Sequence, residues 1–436
     1  MAATTARGQW GRQLLQLPAS RLAGMFDRGN LPGWNGGRFY APWRPRGHGL
    51  QYTPSAPPPK CPAHGVMRCL VLLVDFADNT ASRTPGELQE LLFSQRTHPT
   101  GSLRDYYRDN SYGQLDLDGD VIGWLRLPNP YVYYVDDQGG QGTYPQNVQG
   151  LVADALRLAQ AQVDFSRFDA NGDGYLDGLV VVHAGGGGET EPDLTNGKRK
   201  IWSHQGNLHR RFVARGVSAY AYCLLPEDGT VGVCCHEVGH MLGLPDLYPP
   251  EPQSDGMGVG RWCLMGMGGW NGDGHTPAQL CAWAKGLLGW LTPTTLQGGQ
   301  TLQVSPAEQQ GSSTYRVWTG GRPHAEYFLL ENRQRIGFDR ELPASGLLIW
   351  HVNDTRPDNR QSSRPRVALE QADGQQGLEQ GDDDGDDGDP FPGAGGNTTF
   401  DDASTPSSRD QVGRPTAVSV ANMATSGTVI SCEVRM

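Results

Sequence analysis

A chain of 436 residues with 37% hydrophobic content is long enough for two packed domains, and no run of about eighteen apolar residues exists to cross a membrane as a helix. Net charge is −11, but Asp382, Asp383, Asp384, Asp386, Asp387 and Asp389 crowd six acidic groups into one short segment. The remainder is only mildly acidic, with no basic surface to suggest nucleic acid as a partner.

Residues 1–60 are rich in Gly, Pro and Arg, lack periodicity and reach a Pro57-Pro58-Pro59 brake. They read as an N-terminal extension, draped or disordered, with a propeptide role open. Arg7, Arg12, Arg21 and Arg28 stand in its first half without the apolar run of about seven to fifteen residues that a signal peptide needs.

From Arg68 a β-branched apolar run predicts a buried strand. Thr84-Pro85-Gly86-Glu87 then spells a capping box with proline at the first helical position, opening a helix to about Phe93. A second helix opens at 102–105. Val148, Val152, Ala155 and Ala159 recur at helical spacing and predict an amphipathic helix over 146–161, followed by a strand at 179–182. Alternating helix and strand lead to an α/β or α+β domain over 61–293. Beyond it the pattern changes to short strand-like runs at 301–304, 315–318, 327–330, 347–352, 367–369 and 429–434. Turns separate them, which predicts a β-sandwich-like domain over 294–436.

Between the long helix and the next strand, Asp169-Ala170-Asn171-Gly172-Asp173-Gly174-Tyr175-Leu176-Asp177 sets oxygen donors at alternate positions with a glycine sixth. Hard, oxygen-seeking Ca²⁺ would use Asp169, Asn171, Asp173, Asp177 and the Tyr175 carbonyl. An EF-hand would close with Glu at position twelve; Val180 stands there, so this is a shorter loop, or else an Asx-rich turn. The acidic run at 382–389 is weaker ground for Ca²⁺, with Asp389 favoured.

The segment that carries chemistry is His236-Glu237-Val238-Gly239-His240-Met241-Leu242-Gly243-Leu244-Pro245-Asp246. At roughly 100° per residue, His236 and His240 fall on one helical face a turn apart, so both imidazoles reach one ion. Gly243 can take positive φ and turn the chain out of the helix, which returns Asp246 toward the metal. Two His and one Asp leave a tetrahedral Zn²⁺ with one open position, the arrangement of a catalytic rather than a structural site. Glu237 points beside the metal, placed to take a proton from the attacking water and return it to the leaving amine.

Downstream, Trp262-Cys263-Leu264-Met265-Gly266-Met267-Gly268-Gly269-Trp270 puts a methionine in a glycine-rich turn like the Met-turn beneath metzincin zinc sites. Met265 is the first choice for that residue and Met267 the second, while a gap-filling core methionine is the plainer role.

The HEVGHMLGLPD stretch, with LVLLVDF at 70–76, SLRDYYRDNSYG at 102–113, FDANGDGYLDG at 168–178, KGLLGWL at 285–291, EYFLLENR at 326–333, GLLIWHV at 346–352 and GDPFPGAGGNTTF at 388–400, resembles the immune inhibitor A family of bacterial secreted metalloproteases. The resemblance runs over roughly 65–432. It implies an α+β zincin/metzincin-like catalytic domain followed by the β-sandwich-like one, a zinc-dependent endopeptidase acting on proteins or peptides, and an extracellular location. Many metzincins steady the oxyanion with a tyrosine two residues past the Met-turn methionine. Met267 holds that position here, and His275 or Tyr248 could replace it.

Eight cysteines without a C-x-x-C pair leave the redox compartment open. Cys61 could cover the metal as a thiolate, pair with Cys69, or be a plain buried thiol. A contrasting reading is a catalytically silent, calcium-stabilised binding or adhesion module on a zincin fold. Retention of Glu237 argues against it, and zinc-dependent hydrolysis of a non-peptide amide is a further alternative, less favoured still.

Overall fold

The computed structural model describes residues 61–190, 199–249, 256–309, 313–361 and 363–436; the predicted extension at 1–60 lies outside them. Contacts divide the chain into two compact units. One holds Gly113–Pro245 with the described residues up to Arg108, the other Asp109–Tyr112 with Asp246–Met436. The architecture is mixed α/β.

In the first unit, β1 (Gly65–Asp75) is almost wholly buried after its first four residues. Helix α1 (Pro85–Phe93) begins as the capping box predicts: the Glu87 amide donates to the Thr84 hydroxyl, and the Thr84 amide donates to the Glu87 carboxylate at 2.7 Å. That acceptor role and the Thr84 hydroxyl hold the Glu87 carboxyl below its usual range. Helix α2 (Leu103–Asn110) follows, then β2 (Leu115–Arg126) and a short helix α3 (Tyr131–Val135). Helix α4 (Val148–Ala159) is capped by Asn147, whose side chain accepts from the Gly150 amide. Its Leu151, Val152, Ala155 and Leu156 pack with Leu70, Leu72 and Val74 of β1 in one apolar core.

Strand β3 (Gly178–His183) is buried at every position, as expected of an inner strand covered on both faces. Strands β4 (His204–Ala214) and β5 (Val217–Pro226) form a hairpin. Its two turn residues, Arg215 at φ 51° and Gly216 at φ 89°, both take the left-handed conformation that matches the strand twist. The sheet order is β2-β1-β3-β5-β4, parallel except for the edge strand β4. Helix α5 (Val231–Met241) leaves the end of β5 and packs on it. Neither β2 nor the hairpin follows from the sequence patterns above, although the buried Leu115 and Leu117 alternate with half-buried Asp116 and Asp118 in β2.

In the second unit, helix α6 (Ala282–Leu287) precedes the strands β6 (Thr294–Thr295), β7 (Gln300–Val304), β8 (Tyr315–Val317), β9 (Glu326–Arg333), β10 (Gly346–Asn353) and β11 (Val367–Leu369). A short helix α7 (Gly377–Gln380), β12 (Ser419–Ala421) and β13 (Ile430–Arg435) follow. They build two sheets, β11-β10-β9-β8-β6 and β12-β13-β7. Each of the six predicted runs is a strand. Strands β9 and β10 are buried throughout, and Arg333 at the end of β9 is fully enclosed. Its guanidinium meets Glu331 at 2.8 Å and Asp339 at 2.6 Å. Burial, then the Asp339 charge, pushes nearby Glu308 up to about 8, so it holds a proton at neutral pH. No helix among the described residues is long and apolar enough to cross a membrane.

Candidate metal centre

Helix α5 brings the two histidines together. Their Nε2 atoms lie 3.1 Å apart and their rings meet edge to face. Two nitrogens bound to one tetrahedral Zn²⁺ at about 2.0–2.1 Å would stand roughly 3.3 Å apart, so the pair already has the spacing of a shared ion. Ligand atoms of His236, His240 and Asp246 all lie within 4.8 Å of one another, and among the described residues no other three His, Cys, Asp or Glu side chains do so. His236 is 9% exposed, Glu237 1%, His240 2% and Asp246 4%. A chance pattern on a solvent-facing helix would not be enclosed in this way. The donor set, two imidazoles and a carboxylate, suits Zn²⁺.

Local backbone chemistry explains how six residues carry the chain from His240 to Asp246. Gly243 sits at φ 98°, as its position predicts. Its amide donates to the His240 carbonyl and the Leu244 amide donates to the Gly239 carbonyl, both at 3.0 Å, which is the paired bond pattern of a Schellman helix end. The turn also reaches His240. The Leu244 carbonyl lies 2.8 Å from His240 Nδ1, where it can accept a hydrogen bond from Nδ1–H and leave the Nε2 lone pair available to a metal ion.

Two contacts that the sequence reading did not single out fix the helix from below. Tyr107 of α2 donates to the Cys235 carbonyl at 2.6 Å, and Cys223 of β5 lies with its sulfur 3.2 Å from the Glu237 carbonyl. Burial, then the Cys235, Cys223 and Glu237 groups, drives the Tyr107 hydroxyl far above its ordinary value, so it stays a donor. The SLRDYYRDNSYG segment is visible in the sequence, but nothing there says which of its tyrosines faces the helix.

In the second unit, Met265 is fully buried and its carbonyl accepts from the Leu247 amide at 2.8 Å, the residue after Asp246. Met267 is 6% exposed. Trp262 anchors the same turn through its indole, which donates to Asp389 at 2.8 Å, and through its carbonyl, which accepts from Arg333. Asp389 is therefore a buried acceptor for the turn, pushed up to about 7 by burial. Tyr248 is buried two residues past Asp246, and His275 is exposed in the turn after Trp270.

The side-chain oxygens of the 169–177 loop accept hydrogen bonds mostly from the loop's own backbone. Asp169 accepts from the Asp173 and Gly174 amides, Asn171 from Asp173, Asp173 from Tyr175, and Asp177 from Ala170 and Arg68. These are Asx-type turns, and Gly172 and Gly174 supply the positive φ they require. All eight cysteines are free thiols, so Cys61 and Cys69 are not bridged. Burial, followed by the Asp177 charge, pushes the Cys61 thiol up to about 12, and Cys61 is not among the residues whose donor atoms gather at His236, His240 and Asp246.

A buried H-E-x-x-H helix beside a mostly parallel sheet, followed by a glycine turn and an acidic residue, is the motif by which zincin-type metallopeptidases are known. Residues 66–291 match the family described as immune inhibitor A peptidase M6, catalytic domain, and the chain belongs to that family. It is 32% identical over 355 residues to the pre-pro-metalloprotease PrtV of Vibrio cholerae serotype O1 (strain M66-2), covering 68% of this chain and 38% of that protein. It is likewise 32% identical over 267 residues to immune inhibitor A of Bacillus thuringiensis subsp. alesti, covering 49% of this chain and 38% of that one. The chain therefore spans well under half the length of the curated relatives it matches.

Proposed function

We propose that this protein is a zinc-dependent endopeptidase that hydrolyses peptide bonds in proteins or peptides. The observation that carries the reading is the enclosed group of His236, His240 and Asp246 with Glu237 on the same buried helix. His236 and His240 hold the ion through Nε2, and Asp246 through a carboxylate oxygen. Zn²⁺ bound there supplies a Lewis acid that polarises the scissile carbonyl and makes water easier to deprotonate. Glu237 takes the proton from the attacking water and passes it to the leaving nitrogen, and no covalent intermediate forms. The Leu244 carbonyl keeps His240 in the tautomer that binds metal. Met265 forms the Met-turn, and Tyr248 or His275 steadies the oxyanion.

The finer assignments belong to the same proposal. The catalytic domain covers 61–293 with a metzincin-like α+β fold, and 294–436 is a β-sandwich-like domain. The 169–177 loop takes Ca²⁺ through Asp169, Asn171, Asp173, Tyr175 and Asp177. The relative PrtV is named a pre-pro-metalloprotease; by analogy, residues 1–60 act as a removable propeptide and the enzyme works outside the cell.

Degradation of casein tests the reading. The protein loaded with zinc and calcium should cleave casein, stop when a chelator strips zinc, and resume on adding about one equivalent of Zn²⁺. Cleavage that survives complete zinc removal, or none at any zinc level in protein freed of residues 1–60, would contradict it.

A further inference from the structure

Cys263 and Cys281 stand on either side of the turn that contains Met265, and both are fully buried. The Cys281 amide donates to the Cys263 sulfur at 3.3 Å. The backbone brings them together independently of the sulfurs: the Leu264 amide donates to the Gln279 carbonyl, the Gly268 amide to the Cys263 carbonyl, and the Ala278 amide to the Gly268 carbonyl. Two segments fixed side by side thus bring Cys263 and Cys281 together, the sulfur of one against the backbone amide of the other. The buried thiol of Cys223, by contrast, is engaged with the Glu237 carbonyl.

We propose that Cys263 and Cys281 are an oxidation site that forms a disulfide when the chain folds in an oxidising environment, stapling the Met265 turn to the start of α6. Because both sulfurs are enclosed in the folded unit, exchange takes place while this segment is still open. A low-molecular-weight disulfide such as glutathione disulfide is the oxidant. The Cys263 thiolate attacks one of its sulfurs and releases one glutathione. The Cys281 thiolate then attacks the mixed disulfide at Cys263 and releases the second. Two protein thiols are oxidised to one disulfide, one glutathione disulfide is reduced to two thiols, and the two protons pass to the released glutathiones. The covalent loop would stiffen the turn whose carbonyl meets Leu247, beside Asp246.

Refolding the full chain with reduced and oxidised glutathione, alkylating free thiols under denaturing conditions and mapping peptides by mass spectrometry tests this directly. The expected result is a linked peptide pair containing Cys263 and Cys281, split by reduction. The oxidised protein should also melt roughly 5–10 °C above the reduced one. Cys263→Ser and Cys281→Ser should each lack the linked pair, and their melting should no longer respond to reductant at this site. Separate alkylation of Cys263 and Cys281 in the wild type at every glutathione ratio, or pairing of either with a different cysteine, would overturn the proposal. Since the peptide map reads neither zinc nor proteolysis, the outcome is independent of the endopeptidase reading.

Discussion

At the scale of single residues Asp246 is the sharpest test, because it is the one proposed ligand that lies off the helix. Its carboxylate belongs to a group in which all donor atoms lie within 4.8 Å. Removing an outer partner of a metal ligand costs about 10–100-fold in affinity, so losing a ligand itself should cost more. Asp246→Ala should therefore weaken Zn²⁺ binding by more than about 100-fold in a titration against a competing chelator, and an unchanged affinity would remove Asp246 from the site. The clustering of His236, His240 and Asp246 is legible in sequence because helical geometry converts a spacing of four into one face, and a glycine after the second histidine marks the exit. The groups that support them are not. Tyr107 reaches the Cys235 carbonyl from a helix 128 positions away in the chain, and the acceptor for His240 is a backbone oxygen, which carries no side-chain signal.

Helix α5 ends in a conformation that only glycine adopts cheaply, and a side chain in the left-handed region costs about 1–2 kcal/mol. Gly243→Ala should accordingly destabilise the protein by about that amount in urea unfolding and weaken zinc binding as well, since the turn sets both the Leu244 carbonyl and the approach to Asp246. A loss of stability with zinc affinity intact would separate the turn from the metal. Elements with a local signature were readable: the capping box begins α1 where Thr84 and Glu87 place it, and α4 follows its apolar period. Strand β2 was not read, because Gly119 and Gly123 interrupt the alternation begun by Leu115 and Leu117. The β4–β5 hairpin was missed for a different reason. Its turn is Arg215-Gly216, and the arginine at positive φ is not one of the residues that usually announce such a turn.

At the scale of the whole molecule, two buried histidines set opposite limits on stability. In the second unit, His351 lies 2.9 Å from both Glu326 and Glu370; although burial opposes its charge, these two carboxylates raise it to about 9. Its native value exceeds the unfolded one of about 6.5, so its contribution is complete below pH 6.5 and is lost as pH rises through 9. In the first unit, burial lowers His183 to about 4. Its contribution is complete above pH 6.5 and is lost as pH falls through 4. Urea midpoints should therefore decline on both sides of about pH 6.5, and His351→Gln should flatten the alkaline limb while leaving the acid limb in place. An alkaline limb that persists in His351→Gln would show that the carboxylate pair is not its source. Composition and apolar patterning exposed the change from a mixed α/β first part to short strands after 294. They could not reveal that contacts divide at Asp246, because that division depends on which distant strands pair.

The most direct test of the central claim compares casein cleavage by the wild type and Glu237→Gln, both loaded with Zn²⁺ and assayed for bound metal. Glu237→Gln keeps the shape of the side chain and removes its capacity to act as a base. The account predicts full zinc occupancy in both proteins and loss of cleavage by at least about 100-fold in the variant, at the lower end of what a general acid–base group contributes. Wild-type rates in a zinc-loaded Glu237→Gln would contradict it.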